Sequence, residues 1–69
     1  MKNLAAFVKA RRKEVNLTQE EFAGRTGVAL TVIRKIDQGK TNLNMDSVNL
    51  VLSMFGHALA PVNSKELEQ

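Results

Sequence analysis

Residues 17–40 of the 69-residue chain read LTQEEFAGRTGVALTVIRKIDQGK, a helical pattern of polar and apolar residues that Gly24 and Gly27 interrupt. Thr18, with Glu21 three residues later, has the pattern of a capping box and predicts a short helix over about residues 19–25. Gly27 supplies the sharp turn that follows it. The polar and apolar pattern then resumes, so a second short helix is expected directly after the turn.

That second helix, helix 3 of the chain, is predicted over about residues 29–38 and ends at Gly39. Val32 or Ile33, together with Ile36, form its buried stripe at helical spacing. Two short helices joined by a tight turn containing glycine form a helix-turn-helix unit. The second helix of such a unit can enter the major groove of DNA.

The side chains off the buried stripe are of types that contact DNA. Arg34 and Lys35 can donate to guanine or to phosphate. Thr31 can hydrogen-bond a base or phosphate, and Leu30 can pack on a thymine methyl group. Gln19 opens the first helix of the unit, where a phosphate group could bind. The alternatives are that Arg34 and Lys35 are solvated surface charges, and that Leu30 is a core or dimer residue.

The remaining helices complete a bundle of four to five short helices, an all-α fold. Helix 1 is predicted over about residues 3–15, with one face formed by Leu4, Phe7, Val8 and Val15. Arg12 lies where it can reach Asp37 at the end of helix 3, which predicts a partly buried ion pair. Helix 4 follows Asn44, a good N-cap, and its apolar side comprises Met45, Val48, Val51 or Leu52, and Phe55.

HALAPV, residues 57–62, reads as a short strand with Pro61 near its end. Since a lone strand cannot satisfy its own hydrogen bonds, it is predicted to pair with a second copy in a symmetric homodimer. The alternative is an irregular tail that packs Leu59 and Val62 on the helices. Residues 63–69 are expected to form a flexible polar tail. The predicted dimerisation residues are His57, Ala58, Leu59, Ala60 and Val62.

The composition narrows the classes of function. The net charge is +3 and the pI about 9.7, with basic clusters in residues 2–13 and 25–40 that suggest a polyanionic partner. The sequence has no cysteine and a single histidine, His57, so we expect no metal site and no cofactor. No nucleophile–base pairing or phosphate-cradling glycine loop is evident, so we expect no enzymatic activity. Without a signal peptide or membrane-length apolar run, the protein is expected to be cytoplasmic.

Three segments carry a resemblance to a known family: LTQEEFAGRTGV, VIRKIDQGKTN and MDSVNLVLSMFG. They resemble the Cro/C1-type (XRE) helix-turn-helix domain of phage and bacterial repressors, whose fold is lambda-repressor-like, across about residues 4–56. The resemblance implies phosphate contacts from Thr18 and Gln19, base contacts from Leu30, Thr31 and Lys35 with Arg34 among them, and backbone contacts from Gln38, Lys40 and Thr41. Arg12 and Asp37 match the family's buried ion pair.

This chain departs from the family pattern at three positions. Asn16 replaces the usual glycine, which is tolerable because asparagine adopts the left-handed conformation. Asp37 replaces glutamate, so the ion pair is expected to be longer or looser. Ala29 replaces the serine or threonine that caps helix 3, which weakens that helix start by about 0.5–2 kcal/mol.

Within that family, the short length and the C-terminal FGHALAPV resemble the HipB antitoxins. That resemblance implies a homodimer whose C-terminal strands pair, and which binds a palindromic operator upstream of its own operon. It also implies a partner, a HipA-type serine/threonine kinase toxin that the dimer restrains. The alternatives are an operator-binding repressor without a toxin, and a protein-interaction module that uses the fold without DNA. On this view the chain divides into a DNA-binding domain at 1–56, a dimerisation strand at 57–62 and the tail.

Overall fold

A computed structural model of the protein describes residues 4–67. The predicted start of helix 1 at residue 3 and the last two residues of the predicted tail lie outside this range. The helices are α1 (Leu4–Glu14), α2 (Gln19–Thr26), α3 (Leu30–Asp37), α4 (Met45–Ser53) and the single turn α5 (Ser64–Leu67). The predicted all-α bundle is confirmed, with a helical turn where the polar tail was expected. No helix in the described range is long and apolar enough to cross a membrane.

The core lies where α1 and α2 pack against α3, with α4 closing it. The largest side chains that are almost wholly buried are Phe22, Ile33, Ile36, Val8 and Val51. The Phe22 ring stacks on that of Phe55, with their centroids 5.6 Å apart. Because α3 contributes two of these side chains, its orientation is fixed by the centre of the core.

Two residues predicted for the apolar faces are exposed instead. Val15 is 51% exposed because α1 ends at Glu14 and the chain turns away before the side chain can point inward. Met45 is 69% exposed because it is the first residue of α4, outside the part of that helix that packs on the core.

Three helices end in the same closed loop, in which one residue takes a positive φ. The residues are Asn16, Gly39 and Gly56, with φ of 57°, 75° and 71°. At the end of α3, the Gly39 N–H donates to the Ile36 carbonyl and the Lys40 N–H to the Lys35 carbonyl, both at 3.0 Å. This pair of bonds is the Schellman motif, which satisfies the last carbonyls of a helix. It ends α3 sharply and turns the following loop away from the helix axis.

The predicted C-terminal strand is wrong: residues 57–63 are irregular, and no strand forms within the described range. The reason is that the chain folds back on α4, where two of its backbone N–H groups find acceptors. The Leu59 N–H donates to Asn49 Oδ1 at 2.8 Å, and the His57 N–H donates to the Leu52 carbonyl at 3.0 Å. Leu59 packs against the core, as the alternative of an irregular tail required, but Val62 is 57% exposed.

Candidate DNA-binding surface

The start of α2 is fixed by the capping box that the sequence predicted. The Glu21 N–H donates to Thr18 Oγ1 at 3.1 Å, and the Thr18 N–H donates to the Glu21 carboxylate at 3.0 Å. The backbone hydrogen bond from Thr18, reinforced by its side chain, lowers the pKa of Glu21 below its ordinary value. Two of the amide groups that a helix start leaves unpaired are thereby satisfied.

The turn between α2 and α3 is held by backbone and side-chain bonds. Gly27 takes a φ of 76°, and its N–H donates to the Ala23 carbonyl at 3.0 Å. Thr26 Oγ1 donates to the same carbonyl at 3.2 Å and accepts from the Val28 N–H at 3.1 Å. Val28 is buried. The turn is therefore anchored on both sides, which fixes the angle at which α3 leaves α2.

On α3, the buried stripe and the exposed face separate clearly. Ile33 and Ile36 are buried, whereas Thr31 and Arg34 are exposed. Lys35 and Leu30 are half-buried. The two exposed side chains of α3, Thr31 and Arg34, are both polar.

Asp37, the last residue of α3, is buried and connects α3 to α1 and α2 through side-chain hydrogen bonds. Its Oδ2 accepts from Arg12 Nη2 at 3.0 Å and from Gln19 Nε2 at 2.8 Å. Arg12 Nη1 also donates to the Leu17 carbonyl at 3.1 Å. The structure thus brings Arg12 and Asp37 together, and it adds Gln19, which the sequence had placed only near phosphate. The Gln19 side chain is half-buried and held against α3.

The ion pair uses one oxygen of the carboxylate. Asp37 Oδ1 and Arg12 Nε are both buried and make no hydrogen bond with any described residue. The contact from Arg12 Nη2 to Asp37 Oδ2 is nevertheless 3.0 Å, which is within the ordinary hydrogen-bond range, so the longer ion pair expected for aspartate does not form.

The comparisons with known proteins agree with this geometry. A helix-turn-helix family model matches residues 8–56, which span α2, the turn and α3. The chain belongs to the Cro/C1-type (XRE) helix-turn-helix family of transcriptional regulators. This regulator is 39% identical over 54 residues to an uncharacterized HTH-type transcriptional regulator, y4mF, of Sinorhizobium fredii. The alignment covers 78% of this chain and 71% of that protein. No solved structure matches the chain significantly.

In this helix-turn-helix regulator, Arg34 has an acidic partner that the sequence analysis missed. Arg34 Nη2 lies 3.7 Å from Glu20 Oε1, which joins the first turn of α2 to the middle of α3. An acid next to Gln19, on a surface otherwise predicted to contact phosphate, was the signal that could have revealed it.

The loop after α3 continues the exposed surface of the regulator. Gln38, Lys40 and Thr41 are exposed. The Schellman motif that ends α3 holds the backbone of this loop against the last turn of the helix. Two of the predicted dimerisation residues contact other helices. The His57 ring is 4.8 Å from that of Phe7 on α1, and its Nδ1 donates to the Phe55 carbonyl at 2.8 Å, while the Leu59 N–H bonds to Asn49 on α4. Ala58, Ala60 and Val62 are exposed.

Proposed function

We propose that the protein is a sequence-specific repressor that binds operator DNA with α3 in the major groove. One observation carries the proposal: α3 buries Ile33 and Ile36 while it exposes Thr31 and Arg34. The anchored turn supports it, because a recognition helix must hold a fixed angle to reach bases. The basic balance of the chain, +3, supports binding to a polyanion.

The contacts divide by chemistry along this surface. Thr18 and Gln19 contact phosphate at the start of α2, where the helix N-terminus favours an anion. Gln19 makes this contact through its backbone N–H, because its side chain is held by Asp37. Leu30, Thr31, Arg34 and Lys35 face the base edges. Gln38, Lys40 and Thr41 contact the DNA backbone beside the groove. In this division residues 1–56 form the DNA-binding domain.

A second part of the proposal is that two copies bind together. Leu50 on α4 is 51% exposed, Met54 just after it is 40% exposed, and Val62 is 57% exposed. The hydrogen bond from Leu59 to Asn49 holds the C-terminal segment on the same helix. Leu50 and Met54 are four residues apart and therefore lie on the same face, and adjoining exposed apolar side chains mark a protein interface. We place the homodimer contact on α4 and residues 57–62, which would present two copies of α3 to a palindromic operator.

The dimer is tested by sedimentation of Leu50→Glu against Val15→Glu. Both leucine and valine are 51% exposed in the single chain, so the two substitutions place a charge at equal exposure. We expect Leu50→Glu to sediment as a monomer and Val15→Glu to remain a dimer. A Leu50→Glu variant that stays dimeric would place the contact elsewhere.

DNA binding is tested with duplexes of about 30 base pairs, long enough for two half-sites one helical turn apart. A specific duplex is selected from a random pool, and a scrambled duplex of the same composition serves as the non-specific probe. We expect the protein to prefer the selected duplex. The logarithm of its binding constant should fall steeply with the logarithm of salt concentration. Failure to select a consensus, or a flat salt response, would refute the proposal. Binding to the duplex upstream of the protein's own gene then tests autoregulation.

Arg34→Ala tests whether α3 reads bases, with Arg11→Ala as the control. Arg11 lies on α1 and pairs with Glu14 at 3.1 Å, so its loss removes the same charge away from α3. We expect Arg34→Ala to weaken binding to the selected duplex by about 1–3 kcal/mol, and Arg11→Ala to have a smaller effect. Equal losses on selected and scrambled DNA would assign Arg34 to phosphate.

The antitoxin role is a second candidate, and the C-terminal FGHALAPV that resembles the HipB antitoxins favours it. In this role the regulator neutralises a HipA-type kinase toxin and represses the operon that encodes both. Co-purification with a kinase-like protein encoded beside it is the test. A repressor that binds its operator, but for which no kinase-like partner is recovered, would be the alternative without a toxin.

A further inference from the structure

A cavity lies between the start of α1 and the loop that follows α3. Its volume is about 330 Å³, at the lower end of the roughly 300–1,000 Å³ that is typical of small-molecule sites. The apolar part of its wall is formed by Leu4, Ala5, Ile36 and Leu43. Ile36 is only 1% exposed and belongs to the core, so the floor of the cavity is the core itself. Such a wall favours contact with a hydrocarbon group.

Two small residues leave the cavity unfilled. Ala5 has a single methyl group, whereas Leu4 and Phe7 on the same helix are large enough to pack against the core. Gly39 has no side chain, and a methyl group built there would meet no heavy atom within 4 Å apart from those of its chain neighbours. Because Gly39 also turns the loop away from the axis of α3, the residues after it form the outer wall of the cavity.

The polar part of the wall comes from Lys40 and Thr41. Both residues are exposed, so they stand at the open side of the cavity. Lys40 takes part in none of the three ion pairs formed within the described residues. No acidic residue of the described range lines the cavity. A cation without a carboxylate partner, next to an apolar wall, favours a ligand with an apolar body and an anionic end.

We propose that this cavity binds a small organic anion with an apolar body and one carboxylate, and that the bound anion releases the regulator from DNA. The volume admits about ten non-hydrogen atoms, at the roughly 30 Å³ that one water molecule occupies in the liquid. The carboxylate accepts from the Lys40 ammonium group and the Thr41 hydroxyl group. The body of the ligand lies against Ile36 and the two leucines.

Release from DNA follows from the other role proposed for Lys40 and Thr41. Both are proposed to contact the DNA backbone, so this half of the inference rests on the proposed function. A carboxylate bound to Lys40 replaces a phosphate there, and its charge repels phosphate groups within about 8–10 Å at moderate salt. Ligand and DNA then exclude each other. At a ligand concentration ten times its dissociation constant, the apparent affinity for DNA should fall about tenfold for each chain.

The first test measures ligand binding to the full chain without DNA, with octanoate as the probe. We expect the amide NMR signals that shift to be concentrated at residues 4–5 and 39–43. The dissociation constant should lie in about the millimolar range, as is usual for a ligand of this size. Acetate lacks the apolar body and should bind at least about tenfold more weakly. Octylammonium has the same body with the opposite charge, and it should bind more weakly than octanoate because Lys40 repels it.

Ala5→Leu fills the cavity, and Ala6→Leu is its control. Ala6 adjoins Ala5 on α1, is exposed and does not line the cavity. We expect Ala5→Leu to weaken octanoate binding by at least about tenfold, because two groups would compete for the same space, and Ala6→Leu to retain it. A second variant, Lys40→Gln, should weaken octanoate binding by about two- to fivefold, the effect of one exposed ion pair. Lys9→Gln is its control, since Lys9 is an exposed residue of α1 outside the cavity.

The second test measures the affinity for the selected duplex in sodium octanoate and in sodium acetate at the same concentration, which keeps the ionic strength equal. Octanoate at ten times its dissociation constant should lower this affinity by at least about tenfold relative to acetate. Ala5→Leu should still bind the duplex and should respond to octanoate no more than to acetate. Ala6→Leu should respond as the wild type does.

Three results would overturn the proposed site. They are octanoate shifts scattered over the whole surface, equal binding of octylammonium, and octanoate binding by Ala5→Leu as strong as that by Ala6→Leu. If only a variant that lacks residues 2–3 binds octanoate, the cavity belongs to the N-terminus of the same chain, and the site is again refuted. Octanoate that binds in the cavity without lowering the affinity for DNA would refute the release. A protein that selects no duplex but binds octanoate as expected would refute the proposed function and leave the site standing.

Discussion

Replacing Asp37 with asparagine tests the side-chain cluster that joins α1, α2 and α3. The Asp37 side chain is only 4% exposed and accepts hydrogen bonds from Arg12 at 3.0 Å and Gln19 at 2.8 Å. Asparagine has almost the same shape, and its amide oxygen can take the place of Oδ2, because both partners are donors. The amide nitrogen then occupies the position of Oδ1, which makes no hydrogen bond with any described residue. The substitution therefore removes the charge and keeps the geometry.

The expected loss follows from the two bonds and the charge. Neutral hydrogen bonds are about half as strong as charge-assisted ones, so each bond to position 37 weakens by about 1 kcal/mol. Removing one partner of a buried ion pair costs about 3–5 kcal/mol. Arg12 keeps its bond to the Leu17 carbonyl and 14% of its side chain remains exposed, which reduces the penalty. We expect Asp37→Asn to lower the free energy of unfolding by about 2–4 kcal/mol, a large part of the roughly 3–10 kcal/mol typical of this chain length.

The assay is urea unfolding followed by the helical circular dichroism signal. For a slope of about 1 kcal/mol/M, the midpoint should fall by about 2 M or more. Glu14→Gln is the control, because it removes the same charge from an exposed pair whose contribution is below about 1 kcal/mol. The double variant Arg12→Met with Asp37→Leu should be milder than Asp37→Asn, since apolar pairs often replace buried ion pairs without loss. A midpoint for Asp37→Asn close to that of Glu14→Gln would refute the reasoning.

Two further predictions concern the helix starts. Ala29→Ser should raise the free energy of unfolding by about 0.5–2 kcal/mol, because Ala29 caps α3 without a side-chain bond among the described residues; an unchanged melting temperature would contradict it. Glu21→Gln should be less stable than the wild type at neutral pH. Since the pKa of Glu21 is lowered by folding, its contribution is fully present above the ordinary glutamate pKa of about 4.3 and disappears as the pH falls through the lower folded value. The difference between the two proteins in urea midpoint should therefore vanish in acid, and a difference that persists there would show that the charge is not its cause.

The helix boundaries around α2 and α3 were predictable because their signals are local. The capping box from Thr18 to Glu21, the left-handed turn at Gly27 and the helix end at Gly39 each depend on residues a few positions apart. The left-handed conformation of Asn16 belongs to the same class, with a φ of 57°. Such interactions join residues within about one helical turn of each other, so they can be predicted directly from neighbouring residue types.

The contacts that the sequence did not reveal join residues far apart in the chain. Gln19 bonds to Asp37 and Glu20 pairs with Arg34, at separations with no periodic signal. Their formation depends on how α2 packs against α3. The Arg12–Asp37 contact could be predicted because the charges are opposite and a family pattern suggested it. The unpaired Asp37 Oδ1 and Arg12 Nε could not be predicted from the sequence.

The strand prediction failed for a related reason. The alternation in HALAPV is a local signal, and the side chain of Leu59 does pack against the core as such a pattern indicates. A strand, however, requires a second backbone for its hydrogen bonds. In this chain the Asn49 side chain accepts from the Leu59 N–H at 2.8 Å, and Pro61 has no N–H to satisfy. One polar side chain on α4 thus removes part of the need for a partner strand. The sequence of residues 57–62 gives no signal of this contact.

Three consecutive residues at the start of α2 show how one helical turn can serve three purposes. Successive side chains on an α-helix point about 100° apart. Gln19 accordingly turns toward the buried Asp37, Glu20 toward Arg34 on the exposed side, and Glu21 back to the Thr18 cap. Substitutions at these three neighbouring residues should therefore have different effects. Loss of the Gln19 amide should weaken the packing of α2 on α3 and loss of the Glu21 carboxylate should weaken the helix start, whereas loss of the exposed Glu20 carboxylate should leave stability nearly unchanged. A stability loss at Glu20 as large as that at Gln19 would show that the Glu20–Arg34 contact belongs to the fold.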